Sequence, residues 1–249
     1  MNRPLRADDE LRVFGLNAVL AAFRARPADV RKVWLAGERM GALRELVAFC
    51  VAERRGYTIV EHDELARVAG SQHHEGVVVA MRRRDELPLS TFLRNLPASP
   101  MQLLWLDGIG NPHNFGAILR SAAHFGVTAV LLPKDGTLAL SGAAVRVAEG
   151  GAESVPLVRM GRSDNAIAQL RGAGFELLAT AVRDGVNLYA RTLPARCVWV
   201  LGAEGEGVDP ALAAACAARI GIPGSGAVES LNVAAATAVL LSEWCRQRA

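Results

Sequence analysis

IPGSGAVESLNVAAATAVLLSE, residues 222–243, is the most informative stretch of this chain. In it a glycine-rich turn leads directly into Ser-Leu-Asn and then into an apolar segment with helical spacing. Two further stretches share this character: NPHNFGAILRSAAHFGV (residues 111–127) and WVLGAEGEGV (residues 199–208). All three place polar side chains beside glycines next to an apolar run, which is typical of loops that form a site.

The region after Met101 alternates between strands and helices. The predicted strands are MQLLWLD, VTAVLLP, FELLATA, CVWVLGA and RIGIP. Such alternation predicts an α/β domain with a parallel sheet that helices cover on both faces. Ligands of parallel sheets bind at the carboxyl ends of the strands. Residues 111–114, 202–207 and 222–230 all follow predicted strands, so we expect them to meet at one edge.

The preceding part of the chain predicts a smaller α/β unit, which runs from Phe14 to Met81. The next stretch, RRRDELPLSTFLRNLPASP, has a run of charges and three prolines, which is typical of a connector. A chain of 249 residues accommodates two domains. We predict a small α/β domain at 11–82, a linker at 83–99 and a larger α/β domain at 100–249.

Charge and hydropathy restrict the function only weakly. The net charge is +3, and residues 1–100 carry 16 Lys/Arg against 13 Asp/Glu, while the remainder balances at 12 against 12. Only Lys32 and Lys134 are lysines, so the cations are nearly all guanidinium groups, which suit phosphate contacts. A codon bias toward Arg explains this equally well. The stretch VAAATAVLL is too short to span a membrane, and the first residues do not resemble a secretory signal, so we expect a cytoplasmic protein.

Metal and nucleotide motifs are missing from the sequence. The four cysteines form no C-x-x-C pair and the five histidines make no ligand set, so we predict buried thiols and no metal site. A dinucleotide fingerprint requires G-x-G-x-x-G. After Gly108 and Gly110, His113 stands where the third glycine belongs, and GAEGEG is spaced G-x-x-G-x-G. A P-loop is absent as well.

Four polar residues of the three stretches each have an ordinary structural explanation. Asn114 and Ser230 precede apolar helical segments, so either could be a helix N-cap. Glu204 could belong to a tight turn, and Arg120 could lie on a solvated helix face. Singly, these alternatives stay open. The occurrence of all four in one chain favours a functional site.

Together the stretches resemble the three motifs of SpoU/TrmH-type RNA 2′-O-ribose methyltransferases of the SPOUT superfamily. Residues 114–120 match N-x-G-x-x-x-R, GAEGEG resembles the second motif, and SLN with its small-residue helix resembles the third. Gly224 departs from the pattern, since many relatives carry Met there. The resemblance covers about the last 150 residues closely and the first 80 more loosely. It implies a deep trefoil knot, which general topology rules would argue against, and a homodimer with the site near the subunit interface.

The resemblance also implies S-adenosylmethionine as cofactor, with RNA as partner and acceptor. The cofactor would be held by the wall and loops that contain Thr180, Leu201, Gly202, Gly207, Ile222 and Leu231. Arg120 would lie at the reaction centre. Because an arginine pKa is above about 12, we assign it to a phosphate contact and to the developing alkoxide, not to proton removal. The residues that would orient Arg120 and the ribose are Asn114, Glu204, Ser230 and Asn232.

The small N-terminal unit resembles the RNA substrate-binding domain that many relatives carry. In His74-Glu75-Gly76, Glu75 replaces the glutamine common in relatives, and a carboxylate does not favour a phosphate contact there.

The function implied is 2′-O-methylation of one nucleotide, with guanosine expected, in 23S-type large-subunit rRNA. A tRNA ribose methyltransferase is the near alternative. The two-domain layout favours the rRNA type over it. A non-catalytic RNA-binding or ribosome assembly factor is the alternative from another class.

Overall fold

The computed structural model describes residues 9–94 and 96–249, which form two compact units. The first unit joins residues 9–85 to Ala139–Ser154, and the second joins Glu86–Leu138 to Val155–Ala249. Ala139–Ser154 thus packs with the first unit, although it falls inside the domain predicted at 100–249. The predicted domain limits themselves stay a prediction.

The first unit is a four-stranded sheet flanked by helices. Its elements are β1 (Glu10–Phe14), α1 (Leu16–Ala25), β2 (Val30–Leu35), α2 (Arg44–Ala52), β3 (Gly56–Ile59), α3 (His62–Ala69), β4 (Val77–Arg82), α6 (Gly142–Ala148) and α7 (Gly151–Ser154). The strand order is β1-β4-β2-β3, and all neighbours are antiparallel except β2 and β3.

Charged side chains attach α6 and α7 to the rest of the first unit. Glu75 has φ +54°, and its carboxylate accepts hydrogen bonds from the Leu16 N–H (3.0 Å) and from Arg146 Nε (3.2 Å). The carboxylate of Glu153, only 4% exposed, pairs with Arg26 Nε at 2.8 Å. Glu75 therefore caps the start of α1 and is neutralised within its own unit.

The second unit is built on an eight-stranded sheet in which every neighbouring pair is parallel. The strand order is β10-β12-β9-β11-β6-β7-β8-β5. Its elements are β5 (Leu87–Pro88), α4 (Leu89–Arg94), β6 (Met101–Leu106), α5 (Pro112–His124), β7 (Ala129–Leu132), β8 (Leu157–Arg159), α8 (Ser163–Gly172), β9 (Glu176–Thr180), β10 (Val186–Asn187), β11 (Arg196–Leu201), α9 (Pro210–Ala214), β12 (Ala218–Gly221) and α10 (Val233–Arg246).

The central strands of this sheet are apolar because both of their faces are covered. Every residue of β6 and β7 is buried. Gln102 is the polar exception, and its side chain donates to the Phe125 carbonyl (3.2 Å) and accepts from Trp199 Nε1 (3.3 Å). The predicted parallel α/β sheet is confirmed, and the knot stays a prediction.

The differences from the sequence analysis concern four strands and the linker. All five strands predicted after Met101 are present, but β5, β8 and β10 were not predicted, because strands of two or three residues show no usable periodicity. The five-residue β1 was not predicted either, since the small unit was expected to begin at Phe14. The predicted linker at 83–99 contains β5 and α4, and Leu89 in it is only 3% exposed. The connector is therefore partly packed onto the second unit.

Candidate active site

Four loops leave the second sheet at one edge. They follow β6, β9, β11 and β12, which are neighbours in the parallel sheet, so their carboxyl ends lie on the same side. The loops after β6, β11 and β12 each include part of one of the three sequence stretches. This edge is where the sheet offers a ligand site.

A hydrogen-bonded cluster of three side chains joins the three stretches. Asn114 Nδ2 donates to Glu204 Oε1 at 2.9 Å. Asn232 Nδ2 donates to the same oxygen at 2.8 Å and lies 3.0 Å from Asn114 Oδ1. Among the described residues, Glu204 Oε2 has no hydrogen-bond partner. The cluster is solvent-accessible, and this free carboxylate oxygen can accept a hydrogen bond from a bound hydroxyl.

Asn114 and Asn232 lie at the starts of α5 and α10, respectively. Asn111, not Asn114, caps α5, since its side chain accepts from the N–H of His113 (2.8 Å) and of Asn114 (3.4 Å). Asn232, not Ser230, caps α10, since its Oδ1 accepts from Ala234 N–H at 2.9 Å. The N-cap explanations of Asn114 and Ser230 are therefore wrong. In α5, Pro112 fixes the first helical position, so the cap is the residue before it.

A tight hairpin presents Glu204. Ala203 and Gly207 exchange both backbone hydrogen bonds, at 3.1 and 2.9 Å. Gly205 (φ +87°) and Gly207 (φ +76°) adopt left-handed conformations that favour glycine. A Cβ on Gly202 would lie 2.0 Å from the carbonyl carbon of Gly207. Glycine at 202 therefore allows the hairpin to close.

Asp107 is a site-region residue that the sequence analysis missed. Its Oδ2 accepts a hydrogen bond from the N–H of Asp209 at 2.8 Å, and its own N–H donates to the Leu201 carbonyl at 2.8 Å. It thereby connects the loop after β6 to both ends of the segment that carries the hairpin. The available signal was a carboxylate placed directly after a fully buried strand.

Arg120 and Ser230 are not part of the cluster. Arg120 lies on α5, is exposed, and makes no side-chain hydrogen bond or ion pair within the described part of the chain. The Ser230 hydroxyl is likewise exposed and without a protein partner among residues 9–94 and 96–249. Of the five predicted catalytic residues, the structure brings together Asn114, Glu204 and Asn232.

The predicted cofactor residues lie at the same edge. Thr180 ends β9, and its hydroxyl donates to the Val200 carbonyl at 3.1 Å. Leu201 and Gly202 are buried at the end of β11, whereas Leu231 is 47% exposed. Gly207 closes the hairpin and Ile222 begins the loop after β12. Exposed apolar side chains of these loops are Val182, Val228 and Leu231.

The backbone of the loop after β12 is largely free. Among the described residues, Ala227 N–H to Ser225 Oγ, at 3.3 Å, is the one hydrogen bond that the backbone amides of 224–231 donate. An ion pair of 2.8 Å between Arg183 and Glu229 connects this loop to the loop after β9. The two loops thus offer unpaired amide and carbonyl groups beside exposed apolar side chains.

Two cysteines of the second unit have raised pKa values. Burial raises the pKa of Cys216 to about 11. The pKa of Cys197 is raised well above its ordinary value for the same reason. Both thiols are therefore protonated at neutral pH and are poor nucleophiles.

Among residues 9–94 and 96–249, no three His, Cys, Asp or Glu side chains lie close enough together to hold a metal ion. No helix there combines the length and the apolar character that a membrane span requires.

Two sequence families match the two parts of the chain. Residues 101–242 match the SpoU rRNA methylase family. Residues 12–86 match the family described as RNA 2′-O ribose methyltransferase substrate binding.

Individual proteins resemble nearly the whole chain. YfiF of Escherichia coli O157:H7, an uncharacterized tRNA/rRNA methyltransferase, is 37% identical over 96% of this chain and 69% of its own. The 23S rRNA (guanosine-2′-O-)-methyltransferase RlmB of Nitrosomonas europaea is 33% identical over 94% of this chain and 91% of its own. An AdoMet-bound rRNA methyltransferase from Sinorhizobium meliloti has the same fold, with a TM-score of 0.80, 24% identity, and coverage of 96% and 88%.

Proposed function

Because the chain belongs to the SpoU rRNA methylase family, we propose that it transfers the methyl group of S-adenosylmethionine to one ribose 2′-hydroxyl of large-subunit rRNA, at a guanosine. The observation that carries the proposal is the cluster of Asn114, Glu204 and Asn232. It connects residues that are far apart in sequence into one polar site. It also keeps a carboxylate oxygen available at a sheet edge suited to ligands.

The loops after β9, β11 and β12 suit the cofactor. Unpaired backbone groups of 224–231 can hydrogen-bond an adenine edge and the amino-acid part of the molecule. The exposed side chains of Val182, Val228 and Leu231 supply apolar contact for a purine ring. Thr180, Leu201, Gly202, Gly207 and Ile222 form the adjoining wall. Bound there, S-adenosylmethionine supplies an electrophilic methyl group.

The chain's own residues then position the acceptor ribose. Glu204 Oε2 accepts a hydrogen bond from a ribose hydroxyl, while Asn114 and Asn232 hold the carboxylate in place. Arg120 binds the adjacent phosphate and stabilises the alkoxide that develops on the 2′-oxygen. Ser230, beside the cluster in sequence, orients the sugar. Orientation of this kind can supply much of a group-transfer rate.

We also propose that the active form is a homodimer, with Asn114 and Arg120 near the subunit interface. Arg120 has no partner among the described residues of its own chain, so it is free to reach an RNA bound across two subunits. A deep trefoil knot around the cofactor loops belongs to the same proposal.

The rRNA substrate is favoured over tRNA because several relatives that cover both parts of the chain are named as 23S rRNA enzymes. A tRNA ribose remains the second candidate, because another relative of comparable similarity is named for both RNA classes.

Methyl transfer to separate RNA pools tests the proposal. The protein is incubated with tritiated S-adenosylmethionine and unmodified rRNA or tRNA, and 2′-O-methyl positions are mapped by their resistance to alkali. Label at one large-subunit guanosine supports the proposal, and label confined to tRNA selects the second candidate. Cofactor binding without transfer to RNA or ribosomal subunits would leave only an RNA-binding or assembly role.

A further inference from the structure

The sheet of the first unit has one face that its helices cover only in part. Phe14, Val78 and Trp34 lie in one row across β1, β4 and β2, and they form a cluster with Leu65 of α3. The next row is formed by Arg12, Ala80 and Lys32. Ala80 is 1% exposed, whereas the side chain of Arg12 is 41% exposed and Lys32 is exposed.

Two cations of this second row lie over one aromatic ring. The Arg12 guanidinium carbon is 4.6 Å from the ring centroid of Trp34, and Lys32 Nζ is 4.8 Å from it. Trp34 itself is 9% exposed, because the aliphatic stems of the two cations help to cover it. A cation in this position is attracted to the negative face of the aromatic ring. The ring therefore fixes the position of two flexible side chains.

The arrangement concentrates positive charge. The charges of Arg12 and Lys32 lie within about 10 Å of each other, roughly the screening length at 0.1 M salt. Arg82, 49% exposed, follows Ala80 by two residues on the same face. Glu10 pairs with Arg12 at 3.0 Å, and Asp85 pairs with Arg82 at 3.2 Å, but no carboxylate of the described residues pairs with Lys32.

We propose that Arg12 and Lys32, which Trp34 holds in place, form with Arg82 a cationic platform that binds two or more phosphates of the RNA substrate backbone. This proposal rests on the proposed function. It adds that this surface of the first unit contacts the RNA substrate. A backbone phosphate fits because Trp34 holds two of the cations in place and because the cations lie on an open sheet face. Arg12 and Arg82 are each paired with a carboxylate, whereas Lys32 is paired with none among the described residues. Guanidinium and ammonium groups supply sequence-independent affinity of this kind.

Charge-removing variants that keep the stems test the platform. In the double variant Arg12→Gln/Lys32→Gln, the aliphatic parts still cover Trp34, so the fold is retained, which circular dichroism checks. The matched control is Arg94→Gln/Arg162→Gln, because both arginines are exposed, lie in the second unit and carry the same total charge. A charge swap, Arg12→Lys/Lys32→Arg, restores both charges at the platform.

Binding of a labelled large-subunit rRNA transcript is measured by anisotropy between about 50 and 200 mM salt. For the platform variant, the slope of log K against log salt falls by about 1.5–2, and affinity at 0.1 M salt falls on the order of tenfold. The control changes the slope much less, and the charge swap restores it. In methyl transfer, the platform variant raises KM for RNA and leaves kcat at saturating RNA near the wild-type value.

The two proposals fail in different ways. RNA binding that depends on Arg12 and Lys32, without any methyl transfer, overturns the proposed function and supports the platform. Methyl transfer by wild-type protein with equal salt slopes for the platform and control variants overturns the platform. That second result would leave these cations available to an acidic protein surface instead.

Discussion

The side-chain amide of Asn232 donates to Glu204 at 2.8 Å, while the same asparagine caps the helix that follows it. One residue thus fixes both the start of α10 and the orientation of a carboxylate on another loop. Asn114 contributes the second amide, at 2.9 Å. Glu204 is therefore held by two donors that depend on two different helices.

Glu204→Ala should reduce the rate of methyl transfer more than Glu204→Gln does. Glu204→Ala removes the acceptor of both amides, and hydrogen bonds to a charged group each contribute about 1.5–3 kcal/mol. We expect kcat for methyl transfer to fall about 10- to 100-fold, and Glu204→Gln, which keeps a carbonyl oxygen, to lose less. Equal losses, or a loss confined to KM, would contradict the positioning role.

Asp107 should act through the hairpin that carries Glu204. Asp107→Ala leaves the Asp209 N–H without its acceptor, whereas Asp107→Asn retains an oxygen at that position. We expect a roughly tenfold lower kcat for the alanine variant, a loss of stability of about 1 kcal/mol, and recovery of most of the rate with asparagine. If the asparagine variant is as impaired as alanine, the charge and not the hydrogen bond matters.

The parallel sheet and its loop edge could be predicted from sequence because the central strands are buried on both faces. Continuous apolar runs such as those of β6 and β11 give a strong signal when glycine-rich loops bound them. The family resemblance, which the comparisons confirm, rested on the polar residues directly after these runs. Local sequence was therefore sufficient to predict most of the second unit.

The features that could not be predicted from the sequence depend on contacts between residues that are far apart in the chain. Asn232, which caps α10 in place of Ser230, also donates to Glu204, 28 residues earlier. Asp107 finds its partner 102 residues away. The placement of α6 with the first unit depends on a close approach, since a Cβ on Gly142 would lie 2.3 Å from the Arg12 carbonyl oxygen. None of these contacts leaves a periodic trace in the sequence.

Gly202→Ala should destabilise the protein. The added Cβ would meet backbone atoms of Gly207 and Val208 at 2.0–2.1 Å, and backbone cannot rotate away as a side chain can. We expect the free energy of unfolding to fall by about 2 kcal/mol or more in urea titration. Gly224→Ala is the matched control, because no atom lies within 4 Å of its Cβ position, and a change below about 0.5 kcal/mol is expected. Similar losses for both variants would show that the hairpin tolerates the extra atom.

Arg120→Ala should separate catalysis from cofactor binding. Arg120 is exposed on α5 and does not belong to the loops that suit the cofactor, so its removal should leave the affinity for S-adenosylmethionine nearly unchanged in calorimetry. Methyl transfer should fall at least 100-fold, since one lost oxyanion donor costs about 10²–10³ in rate. Arg162→Ala serves as the control for a lost surface charge. Loss of cofactor binding in a folded Arg120→Ala protein would overturn the assigned role.

Glu243 is a carboxylate whose pKa lies well below its ordinary value. It accepts two hydrogen bonds from Arg246, at 2.7 and 2.8 Å, and one from Gln247 at 2.8 Å. These contacts, with the Arg246 hydrogen bonds as the largest cause, lower the pKa of Glu243 to about 2. The side chain is 4% exposed, so the ionised form is held within α10 by its own neighbours.

The stability that Glu243 contributes should therefore disappear in acid. Because its pKa is lower in the folded chain than the ordinary value of 4.5, the contribution is complete above pH 4.5 and is lost as the pH falls toward 2. Glu243→Gln should lower the free energy of unfolding at pH 7 and approach wild type near pH 2.5. Glu229→Gln, which breaks an ion pair 70–78% exposed, should have little effect at pH 7. A Glu243→Gln deficit that stays constant from pH 7 to acid would mean that packing, not ionisation, is what this residue contributes.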